Sequence, residues 1–431
     1  MKLPASRSAE VPVSGATSRL PRGFRWLIAA QFASALADNA LLIVTIALLQ
    51  QQGLPGWWAP LLKFGFTISY VLLAPFVGPL ADAFPKARLM ACMNAVKALG
   101  VLALLAGVHP VLAFVVVGFG AAAYAPCKYG LITELVPIER LVAANGWLEV
   151  SVVCAALLGT VLGGALVSPW LLGTAWMLAT SQALAALPLV AGRSALDTSL
   201  ALLLTLYGLA GLFNIGVPDS GARYPAGRVH PVALVVDFWH DHRTLWCDRD
   251  GGLSLAVTTI FWGVGATLQF AVLRWAVGVL ELTLDQAAYL QAAVAIGVVI
   301  GATAAGRWVP LSQAKRMLPA GVMLGLMMPV VASAGALGLA VPLLAIVGIV
   351  GGLMVVPLNA LLQHRGHQLL SAGRSVAVQG CSENASILAM LAGYATMIAL
   401  DVPIVPLMWV FGLAIAAAMA LLMLRVRALR R

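Results

Sequence analysis

The chain has 431 residues, 61% of them hydrophobic and only 10% charged, with a formal net charge of +10 and a mean hydropathy of +0.97. Soluble domains carry about 25% charged residues, so a water-soluble globular protein is excluded and an all-α integral membrane protein is expected. Lys and Arg fall in short loops and at the termini, which sets membrane orientation and argues against a nucleic-acid-binding role.

Residues 1–23 are polar and rich in Pro and Ser, the composition of a disordered tail. The apolar run after Arg25 is interrupted by Asp38-Asn39 and lacks a small-residue cleavage site, which predicts a retained first helix and not a signal peptide. Runs of membrane-crossing length predict twelve spans, at 24–50, 58–81, 89–107, 111–136, 142–167, 196–217, 253–275, 287–307, 317–339, 341–362, 374–400 and 403–424. Residues 170–191 form a further apolar stretch. The basic N-terminus and the basic loop 219–250 belong on one side, so an even number of crossings separates them and only one of 170–191 and 196–217 crosses. The first carries Thr174, Thr180, Ser181, Gln182 and Pro188, so 196–217 is the expected span and 168–195 an insertion on the outer, periplasmic face.

Basic residues follow every second span, as with Lys86 and Arg88, Arg140, Arg307 and Arg316, and Arg425 and Arg427; the opposite loops hold Gln51-Gln52, His109, Glu281, Asp285 and Asp401. Both termini are therefore expected in the cytoplasm. The expected organisation is an N-terminal six-helix bundle at 24–217, a cytoplasmic linker at 218–252, a C-terminal six-helix bundle at 253–424 and a basic tail at 425–431. Within the linker, Val232, Val235, Val236 and Trp239 recur at helical spacing, which predicts an amphipathic helix on the inner membrane face. Asp237, His240 and Asp241 could share a face as metal ligands, but His240 and His242 diverge on a helix and no metal site is expected. The five cysteines form no metal-binding or disulfide spacing and read as small packing residues.

The two halves echo each other. Span 4 has Gly120 then Pro126, and span 5 has Asn145-Gly146-x-x-Glu149; span 10 has Gly352 then Pro357, and span 11 has Gln379-Gly380-x-x-Glu383. Paired halves with interrupted helices point to alternating access about a central site.

Asp38, Lys128, Glu149 and Glu383 lie inside apolar spans. A charge there costs about 2.5–3.5 kcal/mol on insertion scales, so it faces a partner or a wet cavity. At 1.5 Å rise per residue, Lys128, Glu149 and Glu383 lie ~12, ~11 and ~13 Å from the inner ends of their helices, and Asp38 ~21 Å. A lysine level with two carboxylates predicts an ion pair or triad that exchanges partners at an inner gate. Tyr124, Asn145, Asn359, Gln363, Gln379 and Asn384 need hydrogen-bond partners, for which helix-to-helix bonding is the first expectation.

Gly78-x-x-x-Asp82-x-x-x-Lys86-x-Arg88 lies between spans 2 and 3. Gly78 permits close helix approach, Asp82 is suited to cap the next helix, and Lys86 and Arg88 hold the turn in the cytosol. This resembles the cytoplasmic loop motif of the major facilitator superfamily, although Pro85 stands where that motif has Gly, and the counterpart after Gly301 has Ala305 in place of an acid. Longer strings, among them Ala37-Asp38-Asn39-Ala40-Leu41-Leu42, Tyr124-x-Pro126-x-Lys128-Tyr129-Gly130, Phe261-Trp262-Gly263 and Val356-Pro357-Leu358-Asn359-Ala360, resemble the bacterial lysophospholipid transporter family over residues 24–424. The resemblance implies inward flipping of 2-acyl lysophosphatidylethanolamine and related lysolipids across the bacterial inner membrane. It also implies partnership with an acyltransferase–acyl-carrier-protein synthetase that re-acylates them.

For that cargo, Lys128 would meet phosphate and Asp38, Glu149 or Glu383 the amine, with Asn39, Asn145 and Gln379 beside them. Gln269 departs from the family pattern, which has a basic residue nearby; Arg274 is the substitute to consider, as a catch for arriving phosphate or as a lipid anchor. A proton-coupled exporter of drugs or sugars is the alternative with the same fold, but no aromatic or Gln/Asn/Trp cluster favours it. None of the six histidines has Asp five residues on, and Gly-x-Ser-x-Gly and phosphate-binding loops are absent from the sequence, so neither an enzyme nor a cofactor is expected.

Overall fold

The structure, a computed structural model, describes residues 20–54, 58–186, 196–222, 224, 230–282 and 284–428. Residues 1–19 of the expected tail, 187–195 of the insertion and the last three residues lie outside the described residues. The N-terminal half comprises α1 (Arg22–Gln51), α2 (Trp58–Leu72), α3 (Ala74–Ala83), α4 (Lys86–Leu105), α5 (Pro110–Leu135), α6 (Leu141–Val167), the short α7 (Pro169–Leu172) and α8 (Ala175–Ala185), and α9 (Asp197–Ile215). The linker helix α10 (Pro231–Cys247) leads to α11 (Arg249–Val279), α12 (Leu284–Trp308), α13 (Leu318–Ala332), α14 (Leu337–Leu369), α15 (Ala372–Ala399) and α16 (Ile404–Ala428).

Ten of these helices are long and apolar enough to cross a membrane, and α2 and α3 form an eleventh span bent by 64°. The bend falls beside Pro75, whose ring removes a backbone donor and clashes with the preceding turn. The twelfth is α15, of full length but more polar. Gln379 and Ser382 on it are buried, so its polar face meets protein instead of lipid. In the insertion, α7 and α8 are too short to cross, and α9 is the span; the Thr198 hydroxyl ties α9 to α8 by donating to the Met177 carbonyl at 3.2 Å.

Each half has its own apolar core, one including Leu41, Val44, Phe114 and Tyr207, the other Trp275, Leu344 and Met408. Backbones meet at glycines. A Cβ on Gly297 of α12 would lie 2.1 Å from the Ala345 carbonyl oxygen of α14, and one on Gly301 would lie 2.2 Å from that of Ile349. The halves join the same way: a Cβ on Gly146 of α6 would meet the Ala302 carbonyl oxygen of α12 at 2.8 Å, and one on Gly78 of α3 would meet Arg374 Cα of α15 at 2.9 Å. Both junctions lie toward the end of the bundle at which α1 begins and α16 ends.

The linker helix α10 has two unlike faces. Val232, Val236 and Trp239 are exposed, whereas Phe238 and Leu245 are buried against the bundle.

Candidate functional site

A cavity of ≈ 350 Å³ is walled by α1, α2, α4, α5 and α6 of the N-terminal half, and Trp262 of α11 lines it from the C-terminal half. Asp38 and Lys97 face each other in it. Lys97 Nζ stands 2.7 Å from Asp38 Oδ2 and donates to Ser34 Oγ at 3.0 Å; the Tyr207 hydroxyl donates to Asp38 Oδ1 at 2.7 Å. Ser34 in turn donates to Asn94 Oδ1 at 2.7 Å, and the Lys97 ammonium lies 5.1 Å from the Tyr124 ring centre. The Lys97 side chain is 2% exposed and that of Asp38 17%, so the carboxylate keeps one side open to the cavity while α4 and α9 supply its partners. Asn39 also lines the cavity but donates its amide to the Ala35 carbonyl of its own helix at 2.8 Å.

Lys128 enters from α5. The expected ion pair or triad with Glu149 and Glu383 does not form: Lys128 Nζ donates to Gln31 Oε1 at 3.3 Å and lies 4.4 Å from the Tyr129 ring centre. Among the described residues no ion pair joins Lys128 to either glutamate. Glu149 is buried at 6% exposure. Glu383 Oε1 accepts from Gln379 Nε2 at 2.8 Å. The reason is geometric: equal depth on three helices leaves their relative rotation open, and here an amide takes the place nearest the ammonium.

A chain of amides runs from Glu383 into the opposite half. Gln379 also donates to Asn359 Oδ1 at 2.8 Å, Asn359 donates to Asn145 Oδ1 at 3.3 Å, and Asn145 and Gln363 exchange two bonds of 2.9 Å. The duplicated amide-Gly-x-x-Glu motifs of α6 and α15 thus meet through α14. Asn384 bonds only within its helix, to the Gly380 carbonyl.

The loop motif forms a latch at the terminal side. The expectation that Asp82 caps the following helix is corrected: α4 has Pro85 at its cap without a side-chain bond. Asp82 instead accepts the Gly373 amide at 2.9 Å and the Ser371 hydroxyl at the start of α15. Lys86, expected in solvent, is buried and pairs with Glu134 at 2.7 Å. Tyr224 and Ser220 donate to the two oxygens of Glu134 at 3.1 and 2.6 Å. Arg88 is exposed. From the linker, Asp241 holds Arg374 of α15 at 2.7 Å, with Asp237 at 3.9 Å; burial raises the Asp241 carboxyl pKa while the Arg374 charge opposes it. Arg365 grips Asp248, the cap of α11, through bonds of 3.0 and 2.8 Å, which hold the Asp248 carboxyl below its ordinary range.

Gln269 and Arg274 are placed away from the cavity. Both are exposed on α11; the Gln269 backbone accepts from Gln291, and Arg274 lies against Tyr394. Sequence reasoning missed Lys97, Lys63 and Glu134, although each is an ionisable residue in an apolar span, the signal that singled out Asp38. It also missed Gln31, Ser34 and Tyr207, whose types alone carry no such signal. A carboxylate and ammonium groups within one partly apolar hollow can together hold a phosphate and an amine.

The family profile of the Major Facilitator Superfamily matches residues 27–377. The lysophospholipid transporter LplT of Shigella flexneri is 40% identical over 408 residues, covering 94% of this chain and 96% of that protein. The lysophospholipid transporter LplT of Yersinia enterocolitica is 41% identical over 388 residues, 90% of each. Among solved structures, a bacterial homologue of the iron transporter ferroportin, in an outward-facing state, aligns with a TM-score of 0.70 at 15% identity over 95% of this chain and 100% of that one. The transporter FucP in its outward conformation aligns with a TM-score of 0.68 at 16% identity over 94% and 98%. At such identities the structural likeness speaks for the fold alone.

Proposed function

This chain belongs to the Major Facilitator Superfamily and, within it, to the lysophospholipid transporters, and on that premise we propose that it flips lysophosphatidylethanolamine-type lipids from the outer to the inner leaflet of a bacterial inner membrane by alternating access. There a partner acyltransferase–acyl-carrier-protein synthetase re-acylates them. The observation that carries the reading is the cavity itself, in which Asp38 and Lys97 stand 2.7 Å apart with Lys128 nearby and Leu42, Phe66, Phe114 and Val152 on the walls. A head group with phosphate and ammonium matches the charges, and a single acyl chain matches the apolar wall.

With the basic loops in the cytoplasm, the latch at Asp82 and α15 closes the cytoplasmic side and the cavity faces outward. An arriving ammonium competes with Lys97 for Asp38, and the displaced Lys97 joins Lys128 on the phosphate. This exchange replaces one set of charge partners by another and leaves neither Asp38 nor Lys97 unpaired, which a low-dielectric site requires. Beneath it, the amide chain from Asn145 to Glu383 must break for the halves to part on the inner side.

The test follows a labelled lysophosphatidylethanolamine between leaflets of liposomes holding the purified protein, with and without a proton gradient. Inward transfer that disappears in Asp38→Asn supports the reading. A protein that leaves the lipid in place while taking up a soluble sugar or dye is an exporter-type carrier instead.

A further inference from the structure

Three lysines and one aspartate line the cavity, and the lysines are not equivalent. Lys97 is neutralised by Asp38 at 2.7 Å. Lys128 is held by Gln31 at 3.3 Å and stacked on Tyr129. Lys63 is different. It is exposed, and among the described residues no hydrogen bond, ion pair or ring contact engages it.

Its direction is fixed by the helix that carries it. Gly65 and Gly118 make the contact between α2 and α5: a Cβ on Gly65 would meet Val115 at 3.1 Å, and one on Gly118 would meet Phe66 Cα at 3.0 Å and Ser69 Oγ at 3.1 Å. Lys63, Phe66 and Tyr70 recur at i, i+3 and i+7, the spacing of one helix face, and all three line the cavity. Lys63 stands five residues from the start of α2, ~7.5 Å along the axis at 1.5 Å per residue, on the side away from the chain termini. It is therefore a cation at the cavity mouth, above the Asp38–Lys97 pair.

We propose that Lys63 is an anion-binding residue that biases this transporter toward lysophospholipids of net negative charge, in which a phosphodiester has no compensating ammonium, over zwitterionic ones. The inference rests on the lysophospholipid reading above and deepens it. A zwitterion engages Asp38 through its ammonium and Lys97 and Lys128 through its phosphate, and leaves Lys63 unmatched. A head group such as phosphoglycerol brings a negative charge that Lys63 meets without an amine to answer. Tyr70, two turns further in, supplies a hydroxyl on the same face for the glycerol oxygens.

The test compares inward transfer of lysophosphatidylglycerol and lysophosphatidylethanolamine, matched in acyl chain, in liposomes holding wild type, Lys63→Gln or Lys63→Arg. In the wild type the phosphatidylglycerol derivative moves faster. Lys63→Gln is expected to lower the ratio of the two rates about tenfold, the equivalent of 1.4 kcal/mol; Lys63→Arg keeps the ratio. An unchanged ratio in Lys63→Gln, or an equal loss of both rates, overturns the role of Lys63 and leaves the lysophospholipid reading standing. A wild type that moves neither lipid overturns both.

Discussion

Asp82 and Gly373 belong to different halves of the molecule, yet the Asp82 carboxylate accepts the Gly373 amide at 2.9 Å. With Ser371 donating to the other oxygen, a side chain of α3 caps the free amides at the start of α15. Gly78 makes this possible, since a Cβ there would lie 2.9 Å from Arg374 Cα. Removing the carboxylate should therefore open the terminal side. Hydrogen bonds to charged groups contribute about 1.5–3 kcal/mol, so Asp82→Ala is expected to shift the equilibrium ~10- to 100-fold toward the form open at that side. Spin labels at Phe84 and Gln368, both exposed, should report a longer distance in the variant than in the otherwise unsubstituted protein.

The Asp38–Lys97 pair makes a second prediction. Removing one partner of a buried pair costs ~3–5 kcal/mol because the other charge is left without compensation. Here the cost is smaller, since the Asp38 side chain keeps 17% exposure. Lys97→Met and Asp38→Asn should each lower the thermal stability of the purified protein. The double variant should regain much of the loss while remaining unable to transport, and a double-mutant cycle on the unfolding midpoint checks this.

These two relationships differ in how far they could be read beforehand. Asp38 announces itself as a carboxylate in an apolar run, and the twelve spans, the linker helix and the duplicated motifs follow from spacing alone. Its partner does not, because Lys97 is 59 residues away on a helix whose packed and lipid-facing sides are equally apolar. In a membrane both faces of a helix avoid charge and favour aliphatic residues, so hydrophobic periodicity gives depth but not rotation. That is why Lys128, Glu149 and Glu383 could be placed at one level and still be wrongly joined, and why Gln269 and Arg274 turned out to lie off the cavity.

The Asn145 amide is the centre of the inter-half chain, bonded to Gln363 twice and to Asn359. Asn145→Leu removes it and strands two buried amides, each costing about 1–3 kcal/mol. The expected result is a lower unfolding midpoint and faster disulfide trapping of cysteine pairs that report opening of the terminal side. Asn384→Leu, which breaks only a bond within its own helix, should change trapping little.

Acid should weaken the linker junction through Asp248. Bonds from Arg365, and those of the Gly251 and Asp250 amides, hold its folded pKa below the ordinary value. A carboxyl with a depressed folded pKa stabilises the fold above its unfolded value, near ~3.9, and that contribution is lost as pH falls through the folded pKa. From pH 7 to 5 this group should leave stability unchanged, with the loss confined below about pH 4. Asp248→Asn should be less stable than wild type at pH 7 and show a shallower decline below pH 4, measured by thermal unfolding in detergent across that range.

The glycine seam between α12 and α14 predicts the sharpest contrast between neighbouring substitutions. Gly297 and Gly301 face Gly348 and Gly352, each set four residues apart, and a Cβ on Gly297 or Gly348 would lie 2.1 Å from a backbone carbonyl oxygen of the other helix. Because the obstructing atoms are backbone, no rotamer change can relieve them and the helices must separate, which forfeits the contacts along the seam. Against this stands the intrinsic preference of helices for Ala over Gly, about 1 kcal/mol. Gly297→Ala should therefore destabilise the protein by several kcal/mol in spite of that preference. Gly265→Ala on α11, where nothing lies within 4 Å of the added methyl, should be neutral or stabilising by up to ~1 kcal/mol. Unfolding midpoints of the two variants in the same detergent decide the matter, and equal midpoints would remove the close approach of α12 and α14 as a determinant of the fold.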